Sequence, residues 1–160
     1  MEIRIAKTED IPGILCLLRQ VGQVHRQIRP DIFAEGTLKY DSAAMEILLQ
    51  DPQRPIFVAC RGNFVAGYCF CVLKQIQGDS LLVPRKELYI DDLCVDEDHR
   101  RQGIAEALYR HAEGYAGSLG CHSITLNVWC GNEGARDFYD KMGMRPRNIY
   151  MEKRLGEELC

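Results

Sequence analysis

Between Leu88 and Trp129 the chain reads as an apolar strand, a short turn, an amphipathic helix and a second apolar strand. The first strand covers Leu88 to Val95. The helix carries Ile104, Leu108, Ala112, Tyr115 and Leu119 on one stripe, the spacing of a helix with one buried face, and Gly120 ends it. The second strand runs from Ser123 to Trp129. Two strands of one sheet joined through such a helix lie parallel, and the crossover is right-handed. The unit needs a sheet with a helix on its face, and that constrains what the rest of the chain can build.

The remaining elements extend this sheet. Ile3 and Ile5 alternate with Glu2 and Arg4 as in a short strand. Thr8 reads as an N-cap, with Glu9 and Asp10 in the first turn of a helix carrying Ile11, Ile14, Leu15, Leu18 and Val21. Residues Gln23 to Tyr40 are irregular, with Arg29-Pro30-Asp31 as a breaker. Asp41 caps a second helix bearing Met45, Leu48 and Leu49. Ile56 to Cys60 and Phe64 to Leu73 are strands joined by the tight turn Arg61-Gly62-Asn63, so they pair antiparallel. Past the crossover, Gly131-Asn132 precedes a helix from about Glu133 to Met142 that Gly143 ends. Ile149 and Met151 alternate with polar neighbours in a last strand.

The order β-α-α-β-β-β-α-β-α-β predicts an α/β fold. Its sheet is mixed and mostly antiparallel, with one parallel β-α-β crossover and helices on both faces. No linker, repeat or low-complexity segment divides residues 1–160, so one domain is expected, long enough for a proper core.

Composition removes several function classes. A net charge of −3 gives no electrostatic reason for a nucleic-acid partner. No apolar run is long enough to span a bilayer, and the first residues lack the apolar core of a signal peptide. A cytoplasmic location without membrane attachment is therefore expected. Eight cysteines occur without a Cys-x-x-Cys pair, most of them inside apolar runs, which reads as buried free thiols. Cys69 and Cys71 share a strand face, and Cys160 sits on a tail expected to be exposed. His111 and His122 have no companion ligands, so no metal is predicted.

Three groups of residues carry chemistry. The first is Arg100-Arg101-Gln102-Gly103-Ile104-Ala105, at the junction of strand and helix. A small-residue turn there aims free backbone N–H groups at one point and adds the positive end of the helix dipole, which suits phosphate or pyrophosphate. The second is Asn132-x-x-Ala135-x-x-Phe138-Tyr139. Asn132 can cap the helix, Ala135 allows close approach, Phe138 faces the core, and Tyr139 turns about a quarter of the way round from it. The third is the acidic set Glu87, Asp91 and Asp92 on or near an apolar strand. Adjacent strand residues point to opposite faces, so Asp91 and Asp92 share a cleft only if a bulge intervenes. An unpaired buried charge is costly, so either one acid is exposed and the other paired, or the pair has a function.

The first two motifs, in this order with a strand between them, resemble the GCN5-related N-acetyltransferase (GNAT) superfamily. The resemblance is specific from about Glu87 to Met144 and implies the acyl-CoA N-acyltransferase fold. It further implies acetyl-CoA as acyl donor, held between two diverging parallel strands. Leu93, Cys94 and Val95 would line the pantetheine arm, largely through backbone groups. Arg100, Arg101, Gln102, Gly103, Ile104 and Ala105 would cradle the pyrophosphate, and Asn132 and Ala135 would meet the pantetheine. Tyr139 would sit beside the sulfur and protonate the leaving thiolate. Two positions depart from the pattern: Arg101 and Ala105 stand where many members have glycine.

The chemistry also follows from the reactants. An ammonium cannot attack a thioester until a carboxylate takes its proton, and a backbone N–H can stabilise the oxyanion that follows. Holding both substrates together supplies much of the rate. Similar acyltransferases of polyamines and aminoglycosides often carry an acidic pair here, which implies Asp91 as the base and Asp92 as a grip on a cationic amine. Glu87 is a third candidate. His25 either contacts the acceptor or is a surface histidine, and His99 either contacts phosphate or is simply exposed. A covalent acyl intermediate on Cys94 is conceivable, but direct transfer in a ternary complex is expected. The acceptor expected is a small cationic primary amine, with a protein N-terminus or lysine as the enzymatic alternative. A non-catalytic acyl-CoA-binding module and a nucleotide-binding regulator are the alternatives of other classes. Homodimers are frequent among similar enzymes.

Overall fold

The computed structural model describes residues 1–36 and 38–155; Cys160 lies outside the described residues. Five strands form one sheet in the order they occur in the chain: β1 (Glu2–Ile5), β2 (Ile56–Arg61), β3 (Phe64–Ile76), β4 (Arg85–Val95) and β5 (Ser123–Leu126). The first four pair antiparallel, and β5 lies parallel to β4. Helix α3 (Ile104–Ser118) makes the crossover between them. Helices α1 (Ile11–Ile28) and α2 (Ser42–Leu48) cover one face of the sheet, and α3 covers the other together with α4 (Glu133–Lys141).

Strand alternation decides which residues meet which helix. Ile56, Val58, Tyr68 and Phe70 pack with Ile14, Leu17, Leu18 and Met45 from α1 and α2. Phe57, Ala59, Cys69 and Cys71 pack with Ile104, Leu108 and Ala112 from α3. Because β2 and β3 are buried on both faces, their sequences are continuous apolar runs. Cys69 and Cys71 share a face as the spacing predicts, with their sulfurs 3.6 Å apart. The seven described cysteines are all free thiols. No helix among the described residues is long and apolar enough to cross a membrane.

Gly67 sets the height of α3 above the sheet. A Cβ there would lie 2.9 Å from the Cys94 carbonyl oxygen, 3.1 Å from Leu108 Cδ1 and 3.2 Å from Ile104 Cγ2. Only glycine leaves room for the first turns of α3 to rest directly on β3 and β4. Gly67→Ala is expected to cost about 1–3 kcal/mol, as overpacking of a filled core does. Thermal melting checks this, at about 2–4 °C per kcal/mol for a chain of this size. An unchanged Tm would mean that α3 has slack against the sheet.

Three local expectations need correction. Thr8 does not cap α1. Residues Thr8–Asp10 form a single 3-10 turn, organised by the Asp10 carboxylate, which accepts from the Lys7 N–H (2.8 Å) and from Arg4 (2.7 and 2.9 Å). Helix α1 continues through residues expected to be irregular, because Gln23, Arg26 and Gln27 are adequate helix formers whose polarity hides the period. The last strand does not form. Ile149, Tyr150 and Met151 are 79%, 98% and 81% exposed, and residues 145–155 have no regular structure. Alternation does not by itself make a strand: β5 is the last strand of the sheet, and this segment does not pair along it. Here the segment is held instead through ion pairs, Arg147 to Glu87 and Glu152 to Arg29.

Candidate active site

The turn before α3 presents an unfilled set of donors. Among the described residues, the backbone N–H groups from Arg100 through Glu106 donate to no protein acceptor. Gly103 is the N-cap, at φ +78°, with no side chain to satisfy the helix end. Arg101 also has positive φ, +62°, so two departures from ordinary backbone, on either side of Gln102, turn the chain sharply into the helix. Arg100 to Gly103 are exposed and Ile104 is anchored in the core, which keeps the donors open to solvent on a fixed base. Gln102 accepts from Arg61 at 2.7 Å. The segment leading in is tied down by Asp96, which accepts from Gln20 Nε2 (2.9 Å) and meets His99 Nδ1 (2.7 Å). The hydrogen bond with His99, followed by those from Gln20 and the Asp98 N–H, holds the Asp96 carboxyl below its usual range. His99 thus braces the turn from behind. The arrangement fits an anion carrying several oxygens.

Beside this turn the parallel strands separate. β5 pairs with β4 from Glu87↔Ser123 to Ile90↔Leu126 and then stops, while β4 continues to Val95. A gap opens along Asp91 to Val95. At the same point β4 slips against β3: Cys71 pairs with Ile90 but Phe70 pairs with Asp92, so Asp91 is an extra, bulged residue. Ile90 stays on the α3 face. Asp92 comes to the α1–α2 face beside Phe70, where its Oδ2 accepts from the Tyr68 hydroxyl at 2.8 Å. Asp91 accepts from Lys39 Nζ at 2.6 Å, and Lys39 belongs to the connection between α1 and α2. The bulge therefore brings both carboxylates to the same side.

Their environments differ. Burial pushes the Asp92 carboxyl up, against the lowering effects of the Tyr68 hydrogen bond and of the nearby Lys39 and His25. Burial lowers the Lys39 ammonium, but the hydrogen bond and charge of Asp91 outweigh it, so Lys39 stays charged. Glu87 is buried, which pushes its carboxyl up, yet hydrogen bonds from Arg85 (2.7 Å) and Arg147 (2.8 Å) leave it below its usual range. A carboxylate held ionised by two arginines is a poor proton acceptor.

Tyr139 lies on the α3 face, packed against Phe138 (ring centroids 5.1 Å apart) and Tyr109 (6.5 Å). Burial pushes its hydroxyl well up, helped by Cys69 and Asp92. It therefore holds its proton at neutral pH, and it makes no hydrogen bond within the described residues. Asn132 caps α4, accepting from the Ala135 N–H at 3.2 Å. Cys94 points its side chain away from the gap, into the α1 side of the core, with Sγ 3.7 Å from the Leu17 carbonyl. Burial pushes its thiol up to about 12, which keeps it protonated and a weak nucleophile. Leu93 and Val95 face α3.

Sequence reasoning missed four residues on the acceptor side. Lys39 and Tyr68 contact the acid pair directly. Phe33 stacks on His25 (5.1 Å) and meets Trp129 edge-on (5.3 Å), with Arg29 over the Trp129 ring at 5.9 Å. His25 thereby belongs to an aromatic wall joining the end of α1 to the loop after β5. The wall had one visible signal, the tryptophan Trp129, which stands just beyond β5 although the strand was expected to run through it.

A model of the family described as acetyltransferase (GNAT) matches residues 22–144. Uncharacterized N-acetyltransferase YdgE of Bacillus subtilis is 35% identical over 74 residues, 46% of this chain and 47% of that protein. The chain spans about half the length of the first Bacillus subtilis relatives it matches. Thialysine N-epsilon-acetyltransferase of Bos taurus is 27% identical over 151 residues, 88% of this chain and 82% of that one. Among solved structures, a mutant of the BH1408 protein from Bacillus halodurans superposes with a TM-score of 0.93 at 29% identity, covering 97% of this chain and 99% of that one.

Proposed function

Because the chain belongs to the acetyltransferase (GNAT) family, we propose that it transfers an acetyl group from acetyl-CoA to a primary amine on a small cationic molecule, by direct attack in a ternary complex. Residues 1–160 act in this reading as one catalytic domain in the cytoplasm. The observation that carries it is the bulge at Asp91, which turns two adjacent acids to one side of the sheet where β4 and β5 part.

The pyrophosphate binds the open N–H groups of Arg100 to Ala105, and the pantetheine arm runs along Leu93 to Val95 in the gap, past Asn132 and Ala135. Sequence reasoning put Asp91 first as base. The surroundings of the two acids support exchanging their roles. Asp92, raised by burial, takes the proton from the ammonium, directly or through a water, since a base works best when its pKa approaches the working pH. Asp91, already paired with an ammonium, holds the amine in place, and His25 lines the acceptor wall. The freed amine nitrogen bonds to the acetyl carbon, the carbon–sulfur bond breaks, and Tyr139 gives its proton to the sulfur; the nitrogen sheds its second proton to water, and water returns a proton to the tyrosinate. The two acids favour a cationic acceptor, and a relative named as a thialysine N-epsilon-acetyltransferase lends the small-amine reading support.

Thiol release from acetyl-CoA in the presence of spermidine, thialysine, an aminoglycoside and a panel of peptides tests this. Acetylation of peptides alone would overturn the small-amine reading, and tight acetyl-CoA binding without any transfer would make the chain a binding module. In the same assay Tyr139→Phe is expected to lower turnover about tenfold with little change in acetyl-CoA affinity. The effect is modest because a thiolate of pKa about 8.5 is already a fair leaving group. Undiminished turnover would remove Tyr139 from the acid's role.

A further inference from the structure

Lys39 is the least expected member of the acid cluster. Its Nζ lies 2.6 Å from Asp91 Oδ2, and its charge also acts on Asp92. Among the described residues, the Tyr68 hydroxyl from β3 and His25 from α1 also act on Asp92. The neighbouring Tyr40 fixes where Lys39 starts: it stacks on Phe70 at 5.9 Å, and Phe70 in turn meets Tyr68 edge-on at 4.9 Å. The Lys39 ammonium also lies 5.6 Å from the Tyr40 ring centroid. Yet the Lys39 side chain is 43% exposed, against 22% for Asp91, and it lies outside any helix or strand. It can leave Asp91 for water without disturbing an element.

We propose that Lys39 is the resident counter-ion of the acceptor site: its ammonium occupies the place on Asp91 that the substrate's ammonium takes, so a cationic acceptor must displace it. This rests on the reading of Asp91 and Asp92 as the amine site. Lys39 keeps the adjacent acids from facing each other without a cation when no acceptor is bound. It also weakens binding of every cationic amine by competing for Asp91, and an amine able to engage both acids at once gains most from the exchange. Lys39 is thereby a specificity-determining residue, acting against weak monocations.

The test compares Lys39→Met with Lys39→Arg, using the small amine that the wild-type enzyme turns over best. In Lys39→Met the KM for that amine is expected to fall about fivefold, the upper range for a partly exposed ion pair. Lys39→Arg keeps the charge and is expected to move it less than twofold. Calorimetric titration of the amine gives the same comparison if a variant turns over slowly, and the KM for acetyl-CoA reports any general loosening. A KM that is unchanged or higher in Lys39→Met overturns the proposal, as does an equal fall in both variants, which would make shape rather than charge the cause. If small amines are acetylated and the KM does not respond, only the role of Lys39 fails. If peptides alone are acetylated, the small-amine reading fails and this inference falls with it.

Discussion

Asp92→Asn is expected to lower kcat/KM for the amine by about a hundredfold to a thousandfold, the range for loss of a positioned general base. The change is nearly isosteric, and the amide oxygen can still accept the Tyr68 hydrogen bond, so the surrounding packing is kept. Stability should move the other way. Burial raises the Asp92 carboxyl above its unfolded value, so the folded chain holds that proton over a pH window where the unfolded chain has released it. Folding stability therefore falls as pH rises through that window, and at neutral pH the buried carboxylate weakens the fold. An asparagine carries no charge at any pH, so the variant is expected to melt no earlier than the wild type at pH 7. Loss of activity without loss of stability marks a residue kept for its chemistry. The pH profile supplies a second readout: the acid limb of kcat/KM, lying above the ordinary carboxylate range, should vanish in the variant. If Asp91→Asn removes that limb and Asp92→Asn retains it, Asp91 is the base. A large fall in both activity and Tm for Asp92→Asn would make its bond to Tyr68 structural.

That both acids could be candidates at all was legible in the chain, because two aspartates inside Leu-Tyr-Ile-Asp-Asp-Leu-Cys-Val conflict with strand alternation. What resolves the conflict is not local. The bulge exists only as a slip between β4 and β3, and nothing in the run itself, such as a glycine, announces it. Tyr68 illustrates the same limit. Its place on β3 could be read from the apolar run, but its partner depends on the register two strands share. Lys39 lies farther off still, in a connection without a period. The crossover from β4 through α3 to β5, by contrast, is written in patterns a few residues long, as are the caps Asp41 and Asn132, both of which make the hydrogen bonds their positions predict. The last strand shows the reverse error. Ile149 and Met151 have the pattern but remain largely exposed, because alternation does not by itself bring a segment into register on a sheet edge.

Gly103→Asp is expected to weaken acetyl-CoA binding more than a hundredfold while leaving the protein folded. Nothing lies within 4 Å of a Cβ built on Gly103, so the side chain itself meets no obstacle. The positive φ of +78° adds strain of about 1–2 kcal/mol for a residue with a Cβ, though aspartate tolerates this region better than most. Gly103 is also the N-cap of α3 and offers no side-chain acceptor of its own. Aspartate is among the best N-caps: its carboxylate accepts from the second or third N–H of the helix, here Ala105 and Glu106, and its charge suits the helix dipole. The gain from capping offsets much of the backbone strain, so Tm should change little. The same capping ruins the site. The donors it satisfies are among those left open from Arg100 to Glu106, and the charge that stabilises the helix repels a pyrophosphate arriving at the same point. Gly103→Ala separates the two effects. It carries the strain without charge or cap, so it should be less stable than Gly103→Asp and yet bind acetyl-CoA more tightly. Calorimetric titration of acetyl-CoA beside thermal melting decides the matter. Affinity retained within tenfold in Gly103→Asp would mean that the pyrophosphate lies elsewhere.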